Sequence, residues 1–208
     1  MSWTEITDLD DLIRLLGEPT AFARDKERTT LTELDRAWLA SSPFCVMSTS
    51  GPDGDCDASP KGDPAGQLVH VVDERTIAIA ERPGNRRADG YRNIIRNPHV
   101  GLLFMIPGRG DTLRINGRAR LVSDADFFDD LVVKGHRPLL AVVVEIDTVF
   151  HHCAKAFLRS KLWDPESWEP ELKVPRRAVV AHELDRPDTS VEELDRYYGP
   201  SYADHLYG

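Results

Sequence analysis

Residues 79–98 read IAERPGNRRADGYRNIIRNP, and the local signals in this stretch decide how the chain around it is interpreted. An apolar strand pattern gives way to the turn Pro83-Gly84, to the polar triplet Asn85–Arg87, and to a helical pattern that stops before Pro98. We predict a strand followed by a helix over about residues 86–96. The triplet then lies at the helix N-terminus, where free N–H groups and the positive end of the helix dipole favour an anion.

The triplet contains two adjacent arginines, Arg86 and Arg87, in a chain whose formal net charge is -9. Two guanidinium groups at a helix start can hold a phosphate through paired hydrogen bonds. The alternative is an ordinary solvated helix end, and this stretch alone does not separate the two interpretations.

The strands on either side of this stretch indicate a mainly β fold with flanking helices. Short connections join successive strands, so we predict an antiparallel sheet, closed into a barrel to avoid exposed edges. The predicted strands are Phe44–Ser50, a short strand through Cys56 and Ala58, Leu68–Val72, Thr76–Ala80, Val100–Ile106, Leu113–Leu121 and Leu139–Ile146. We expect short helices over 124–132 and 151–162.

The 208 residues are expected to form one structural domain. We divide it into an N-terminal helical segment (1–42) that packs on the barrel, a barrel core (43–151), and C-terminal helices with a tail (152–208). The pI near 5.2 argues against a nucleic-acid partner, because phosphate backbones attract basic surfaces.

Targeting and metal signals are weak. No apolar run approaches the roughly 20 residues that span a bilayer, and the N-terminus lacks the pattern of a secretory signal. The three cysteines form no C-x-x-C pair, and adjacent residues such as His151-His152 point to different sides of an element. We therefore expect a cytoplasmic protein with no membrane segment and no metal site.

Two further polar segments are candidate binding sites. In Ser59-Pro-Lys-Gly-Asp63, the Ser59 hydroxyl, Lys61 and the flexible Gly62 stand at a strand end, where they could hold a phosphate or a polar ring edge. Lys155 and Arg159 are spaced i, i+4 on one face of a predicted helix, and Trp163 follows one turn later. An ordinary turn and a solvated helix face are the respective alternatives.

The order of these motifs resembles the pyridoxamine 5′-phosphate oxidase-like, FMN-binding split-barrel superfamily, in a subgroup without an assigned reaction. The resemblance covers roughly residues 30 to 170. It is carried by the stretches Ser59–Asp63, Ala80–Arg87, Asn97-Pro98, Leu113–Gly117, His152–Ala156 and Arg159–Trp163.

The resemblance implies a six-stranded antiparallel split β-barrel that forms a homodimer, with FMN in the groove between the subunits. It places the phosphate clamp of the family on Asn85, Arg86 and Arg87, with arginine in place of the family's lysine. The remaining implied or candidate cofactor contacts are Ser59, Lys61 and Gly62, the strand edge Ala80-Glu81, and Arg114 with Asn116.

The predicted function is that of an FMN-dependent oxidoreductase, which transfers a hydride between flavin N5 and a small organic substrate. Lys155, Arg159 and Trp163 are predicted to close the pocket, from the same or the partner subunit. No residue is identified as the catalytic acid or base, and the C-terminal substrate signature of true pyridoxamine phosphate oxidases is not found. The alternatives are a flavin-binding or sensing protein without turnover, and a deazaflavin-dependent reductase on the same fold.

Overall fold

The computed structural model describes residues 1–168 and 174–207. Its centre is one antiparallel sheet of seven strands with the spatial order β2-β1-β5-β6-β7-β4-β3. The strands are β1 Phe44–Ser50, β2 Cys56–Gly62, β3 Val69–Val71, β4 Thr76–Ala80, β5 His99–Met105, β6 Thr112–Val122 and β7 Ala141–His152.

The mainly β, antiparallel architecture is confirmed, but the prediction of six strands in a closed barrel is wrong. The sheet is open between its edge strands, β2 and β3. Pro60 in β2 explains one edge, because proline lacks an N–H and is confined to edge strands and bulges. At the other edge β3 has only three residues.

The helices flank the sheet. They are α1 Leu9–Leu16, α2 Ala21–Arg24, α3 Glu33–Ser41, α4 Asp89–Arg96, α5 Lys155–Ser160, α6 Arg177–Leu184 and α7 Val191–Tyr197. Single 3₁₀ turns or short 3₁₀ helices occupy Asp126–Leu131, Pro165–Ser167 and Pro200–His205. The helix predicted over 86–96 therefore begins later, at Asp89, and the one predicted over 151–162 is shorter because β7 continues to His152.

The main core lies where the two halves of the sheet face α3 and α4. Alternate residues of β5 point into it, so Val100, Leu102 and Phe104 are buried while their neighbours are half-buried. β5 is thus buried mainly on one face, although its sequence is apolar on both. α6 and α7 form a separate small cluster around Ala178, Ala181 and Leu194.

Candidate functional site

A cavity of about 1170 Å³ opens beside the edge strand β2. Its lining comes from distant parts of the chain that the fold brings together. These are 57–63 in and after β2, 80–91 between β4 and the first turn of α4, 135–140 before β7, and Leu206 with Tyr207. Alternation along β2 puts Asp57, Ser59, Lys61 and Asp63 on its more buried face, while the residues between them are exposed.

The first turn of α4 forms one end of the cavity. The N-cap residues of α1, α3 and α7 accept hydrogen bonds through their side chains, whereas the N-cap residue of α4, Ala88, cannot. α5 and α6 also lack such a cap, but they begin outside the cavity. The first N–H groups of α4 are therefore available to an anion.

The loop before α4 has an unusual backbone. Arg86 and Ala88 both have positive φ, at 60° and 57°, a conformation that costs non-glycine residues about 1–3 kcal/mol and clusters at functional sites. The side chain of Asn85 accepts a hydrogen bond from the Arg87 N–H at 3.1 Å, which fixes the turn. The three residues predicted as a clamp thus form one ordered turn at the cavity wall.

The two arginines of this turn have different partners. Arg87 Nε is 2.7 Å from Asp89 Oδ2, so its charge is already paired within the turn. Arg86 makes no salt bridge within the part of the chain that the structure describes. Asp57 also lies at this end, because a Cβ on Gly90 would come within 2.8 Å of its Oδ2. Arg86 and the helix N-terminus are therefore the principal anion-attracting groups here.

Lys61 and Tyr91 form a pair on the cavity wall. Lys61 Nζ donates to Tyr91 Oη at 3.2 Å and lies 4.8 Å from the centre of the tyrosine ring. Burial lowers the pKa of Lys61, against the opposing charges of Cys45, Glu81 and Asp57. Burial also raises the pKa of Tyr91, and the charge of Glu81 adds to that shift.

Glu81 completes this group of titratable side chains. Burial raises its pKa, and the charges of Lys61 and Arg82 oppose that shift. Burial therefore shifts the pKa of Lys61 down and the pKa of Glu81 up, because it disfavours the charged form of each group. The cavity wall thus contains three neighbouring titratable side chains, of which the sequence had not indicated Tyr91.

The other end of the cavity contains a buried ion pair. Arg82 Nε is 2.8 Å from Asp63 Oδ2, and its Nη2 donates to the Leu131 carbonyl at 2.9 Å. Asp63 also accepts a hydrogen bond from the hydroxyl of Tyr207 at 2.9 Å. His136 stacks on the same tyrosine ring, with 6.1 Å between centroids.

Eight of the ten predicted cofactor-binding residues line this cavity: Ser59, Lys61, Gly62, Ala80, Glu81, Asn85, Arg86 and Arg87. Arg114 and Asn116 do not line it. They lie on β6, where Asn116 donates to Thr148 Oγ1 at 3.1 Å and Arg114 lies over the Phe150 ring at 5.5 Å. Because they are two residues apart on one strand, both lie on the same face of the sheet.

The segment predicted to close the pocket also lies outside this cavity. Lys155 and Arg159 are exposed, and Trp163 Nε1 donates to the Arg109 carbonyl at 2.7 Å while its ring stacks on Phe157. Within one chain these residues do not contact the cavity lining, so their predicted role would require a partner subunit.

Sequence reasoning missed Tyr91 and the Asp63, Arg82, His136 and Tyr207 cluster. Tyr91 lies one turn into a predicted helix beside the arginines, and that position was a usable signal. The cluster had none, because Tyr207 and Asp63 are 144 positions apart.

Within residues 1–168 and 174–207, no three His, Cys, Asp or Glu side chains are grouped to hold a metal ion. No helix in the same ranges is long and apolar enough to cross a membrane.

The sequence profile described as pyridoxamine 5′-phosphate oxidase matches residues 31–153, which contain all seven strands and the cavity wall from β2 to α4. No curated protein sequence matches the chain.

Solved structures with a similar fold have low sequence identity. HupZ from Group A Streptococcus is 14% identical, with a TM-score of 0.47, over 58% of this chain and 93% of that chain. An FMN-binding protein from Syntrophomonas wolfei subsp. wolfei is 13% identical, with a TM-score of 0.43, over 58% of this chain and 89% of that chain. An F420 reductase is 17% identical, with a TM-score of 0.42, over 57% of this chain and 98% of that chain. At these values the similarities carry no functional argument.

Proposed function

The chain belongs to the pyridoxamine 5′-phosphate oxidase family, and on that premise we propose that it binds FMN in the cavity beside β2 and acts as an oxidoreductase on a small organic substrate. The observation that carries the proposal is the uncapped N-terminus of α4, which opens into the cavity next to Arg86. That combination suits the terminal phosphate by which FMN differs from riboflavin.

The residues present fit the other parts of FMN. The Ser59 hydroxyl and the polar row along β2 suit a polyhydroxy chain, and a cavity of about 1170 Å³ has room for a three-ring system. Arg86 and the first N–H groups of α4 would hold the phosphate. Ala80 and Glu81 present a strand end against which a flat ring can lie.

When bound, FMN supplies the redox chemistry, in which a hydride passes between its N5 and the substrate. The chain's own residues supply position and charge. Lys61 would place a positive charge and a proton near the ligand, and Tyr91 holds its ammonium group through the 3.2 Å hydrogen bond. The buried Arg82–Asp63 pair fixes the opposite wall, so the ligand meets a preorganised surface.

We further propose that the protein is a homodimer and that Lys155, Arg159 and Trp163 reach the cofactor of the partner subunit. Three features support this. The sheet is open at its edges, the side chains of the 155–163 segment lie away from their own cavity, and α1 buries none of its residues although Leu9, Leu15 and Leu16 are apolar.

The experiment is an absorbance spectrum of the purified protein, before and after reconstitution with FMN, followed by anaerobic addition of NADPH or NADH. A bound flavin spectrum that bleaches and then recovers with an electron acceptor supports the oxidoreductase. A stable flavin complex that no donor reduces supports the flavin-binding alternative, and a deazaflavin spectrum supports a reductase of that cofactor. A protein that neither retains nor binds any of these chromophores contradicts the proposal.

A further inference from the structure

The C-terminal helices are joined to the rest of the molecule at one polar contact. Between residues 174–207 and residues 1–168, the described chain contains a single hydrogen bond and no salt bridge. That hydrogen bond runs from the hydroxyl of Tyr207 to Asp63, at 2.9 Å. α6 and α7 pack against each other, and Leu206 and Tyr207 bring the end of this segment to the cavity lining.

Tyr207 has partners on several sides. Its hydroxyl meets Asp63, which also holds Arg82, and its ring stacks on His136. The charged groups of Arg82 and Lys134 lie 5.7 Å and 5.4 Å from the ring centre, within the range of cation–π attraction. Burial raises the pKa of the Tyr207 phenol, as does the neighbouring Asp63 carboxylate, so the phenol keeps its proton for this hydrogen bond.

Tyr207 stands at the end of the cavity remote from α4. Asp57 touches the first turn of α4 at Gly90, and Asp63 touches Tyr207. These two carboxylates are six residues apart along an extended segment, a separation of roughly 20 Å at about 3.3 Å per residue. The phosphate-attracting turn and the tyrosine therefore face each other along the length of β2.

We propose that Tyr207 is a specificity-determining residue, which closes the far end of the cavity and limits the size of the molecule that can reach the row of side chains on β2. This deepens the function proposed above, because the end closed by Tyr207 is the end left for a substrate once a phosphate occupies the α4 end. The geometry of the closure does not depend on which cofactor is bound.

The test uses the full chain without cofactor. Ser59→Cys places a thiol in the row on β2, and Cys56→Ser with Cys153→Ser removes the two exposed native thiols, while Cys45 is buried. The rate of thiol modification is measured with a small reagent, methyl methanethiosulfonate, and with the larger 5,5′-dithiobis(2-nitrobenzoate). The ratio of the two modification rates reports the size of the cavity opening.

Tyr207→Ala should raise the rate with the larger reagent about tenfold, because the segment loses both its hydrogen bond to a charged acceptor and its ring contacts. The rate with the smaller reagent should rise less. Tyr207→Phe keeps the ring and loses the hydrogen bond, so its rate with the larger reagent should lie between the rate of the chain with Tyr207 and the rate of Tyr207→Ala. Tyr202→Ala is the matched control, because it removes a ring from the same C-terminal segment that packs on Tyr197 and Tyr198 instead.

An unchanged ratio of the two rates in Tyr207→Ala, or an equal change in Tyr202→Ala, would overturn the proposal. Affinity for FMN is measured separately on chains that retain Ser59. Absence of FMN binding in the unmodified chain would remove the proposed cofactor and leave the result on access to the cavity standing.

Discussion

Arg86 and Arg87 are neighbours in sequence but differ in the fold, because among the residues that the structure describes only Arg87 pairs with a carboxylate. Arg87 pairs with Asp89 at 2.7 Å, and the hydrogen bond to Asp89 and the negative charge of Asp89 raise the pKa of the guanidinium. Arg87 therefore stays charged, and its charge is already paired. A phosphate arriving at α4 would compete with Asp89 for Arg87. Asp89 would therefore moderate the proposed affinity of this turn for a phosphate.

Asp89→Asn should tighten FMN binding by about three- to tenfold, because it frees Arg87 and removes a negative charge from the phosphate end. Riboflavin binding should hardly change. Quenching of flavin fluorescence measures both affinities. Asp111→Asn is the control, since it breaks a comparable pair with Arg109 at 2.8 Å outside the cavity. Equal tightening of riboflavin and FMN would show that Asp89 does not act on the phosphate.

How well single residues could be predicted depends on whether their signal is local. Asn85, Arg86 and Arg87 were found because a turn, a polar triplet and a helix start are adjacent in sequence. Arg114 and Asn116 are two residues apart on a predicted strand and so share one face, but alternation cannot show which cavity that face meets. Tyr207 could not be found, since its partner Asp63 is a long-range contact.

At the scale of elements, α3 is fixed to the sheet through a fully buried carboxylate. Asp35 accepts hydrogen bonds from Thr32 in a capping box and from Arg28, and it lies 3.2 Å from His151 Nε2. Burial alone would raise the pKa of Asp35, but the hydrogen bonds from Arg28 and Thr32 outweigh it and lower the pKa from 3.8 to about 2. The ionised form is therefore favoured by folding.

A carboxyl group whose pKa is lower in the folded state than in the unfolded state stabilises the fold at pH values above its unfolded-state pKa. That stabilisation is lost as the pH falls through its folded-state pKa. Asp35 should thus contribute about 2 kcal/mol at neutral pH, lost between about pH 4 and pH 2. Asp35→Asn should lower the free energy of unfolding by about 2–4 kcal/mol at pH 7, and by much less near pH 2. Urea denaturation at pH 7 and near pH 2 measures the difference in unfolding free energy between Asp35→Asn and the unmodified chain. A difference that does not depend on pH would contradict the lowered pKa of Asp35.

A bulge in the pairing of β6 with β7 explains why the chain has a glycine at position 117. The register of the two strands shifts between Asn116 and Gly117, and a Cβ on Gly117 would lie 2.1 Å from the Glu145 carbonyl oxygen. Gly117→Ala should therefore cost about 2–3 kcal/mol, because the backbone of β7 must move. Gly84→Ala, whose Cβ would meet its nearest atom at 3.9 Å, should change stability by about 0.5 kcal/mol or less. Similar melting temperatures for the two variants would refute the steric argument.

Strand prediction succeeded where alternation and turn residues were clear. The residue patterns indicated seven strand segments, which the structure confirms, and the count of six came from the family resemblance. Closure was overpredicted, because avoiding open edges is a general tendency, whereas Pro60 and the shortness of β3 are local facts that leave this sheet open. The helix start at Asp89 was missed by about one turn, because Arg86 and Ala88 adopt left-handed conformations that no propensity favours.

At the scale of the whole molecule, the proposed dimer explains why Lys155 and Arg159 lie away from their own cavity. Light scattering should give a mass near twice 23.4 kDa. The double variant Lys155→Ala/Arg159→Ala should weaken FMN binding by about tenfold while the melting temperature of the apo protein stays unchanged, because both side chains are exposed in one chain.

Arg186→Ala/Arg196→Ala removes two exposed charges from the C-terminal helices and serves as the control for net charge. It should leave FMN affinity unchanged. A monomer that retains FMN at micromolar concentration would contradict the proposed dimer, and unchanged FMN affinity in the Lys155/Arg159 variant would restrict that segment to a solvated helix.

The central claim is that the cavity recognises the phosphate of FMN at the start of α4, and the direct measurement is a calorimetric titration of the apo protein with FMN and with riboflavin. The unmodified chain should bind FMN at least about tenfold more tightly than riboflavin, because a charged hydrogen bond is worth about 1.5–3 kcal/mol. Arg86→Ala should abolish most of that difference, whereas Arg92→Ala, an exposed arginine on the same helix outside the cavity, should preserve it. Equal affinities for FMN and riboflavin in the unmodified chain, or equal losses in the two variants, would contradict the account.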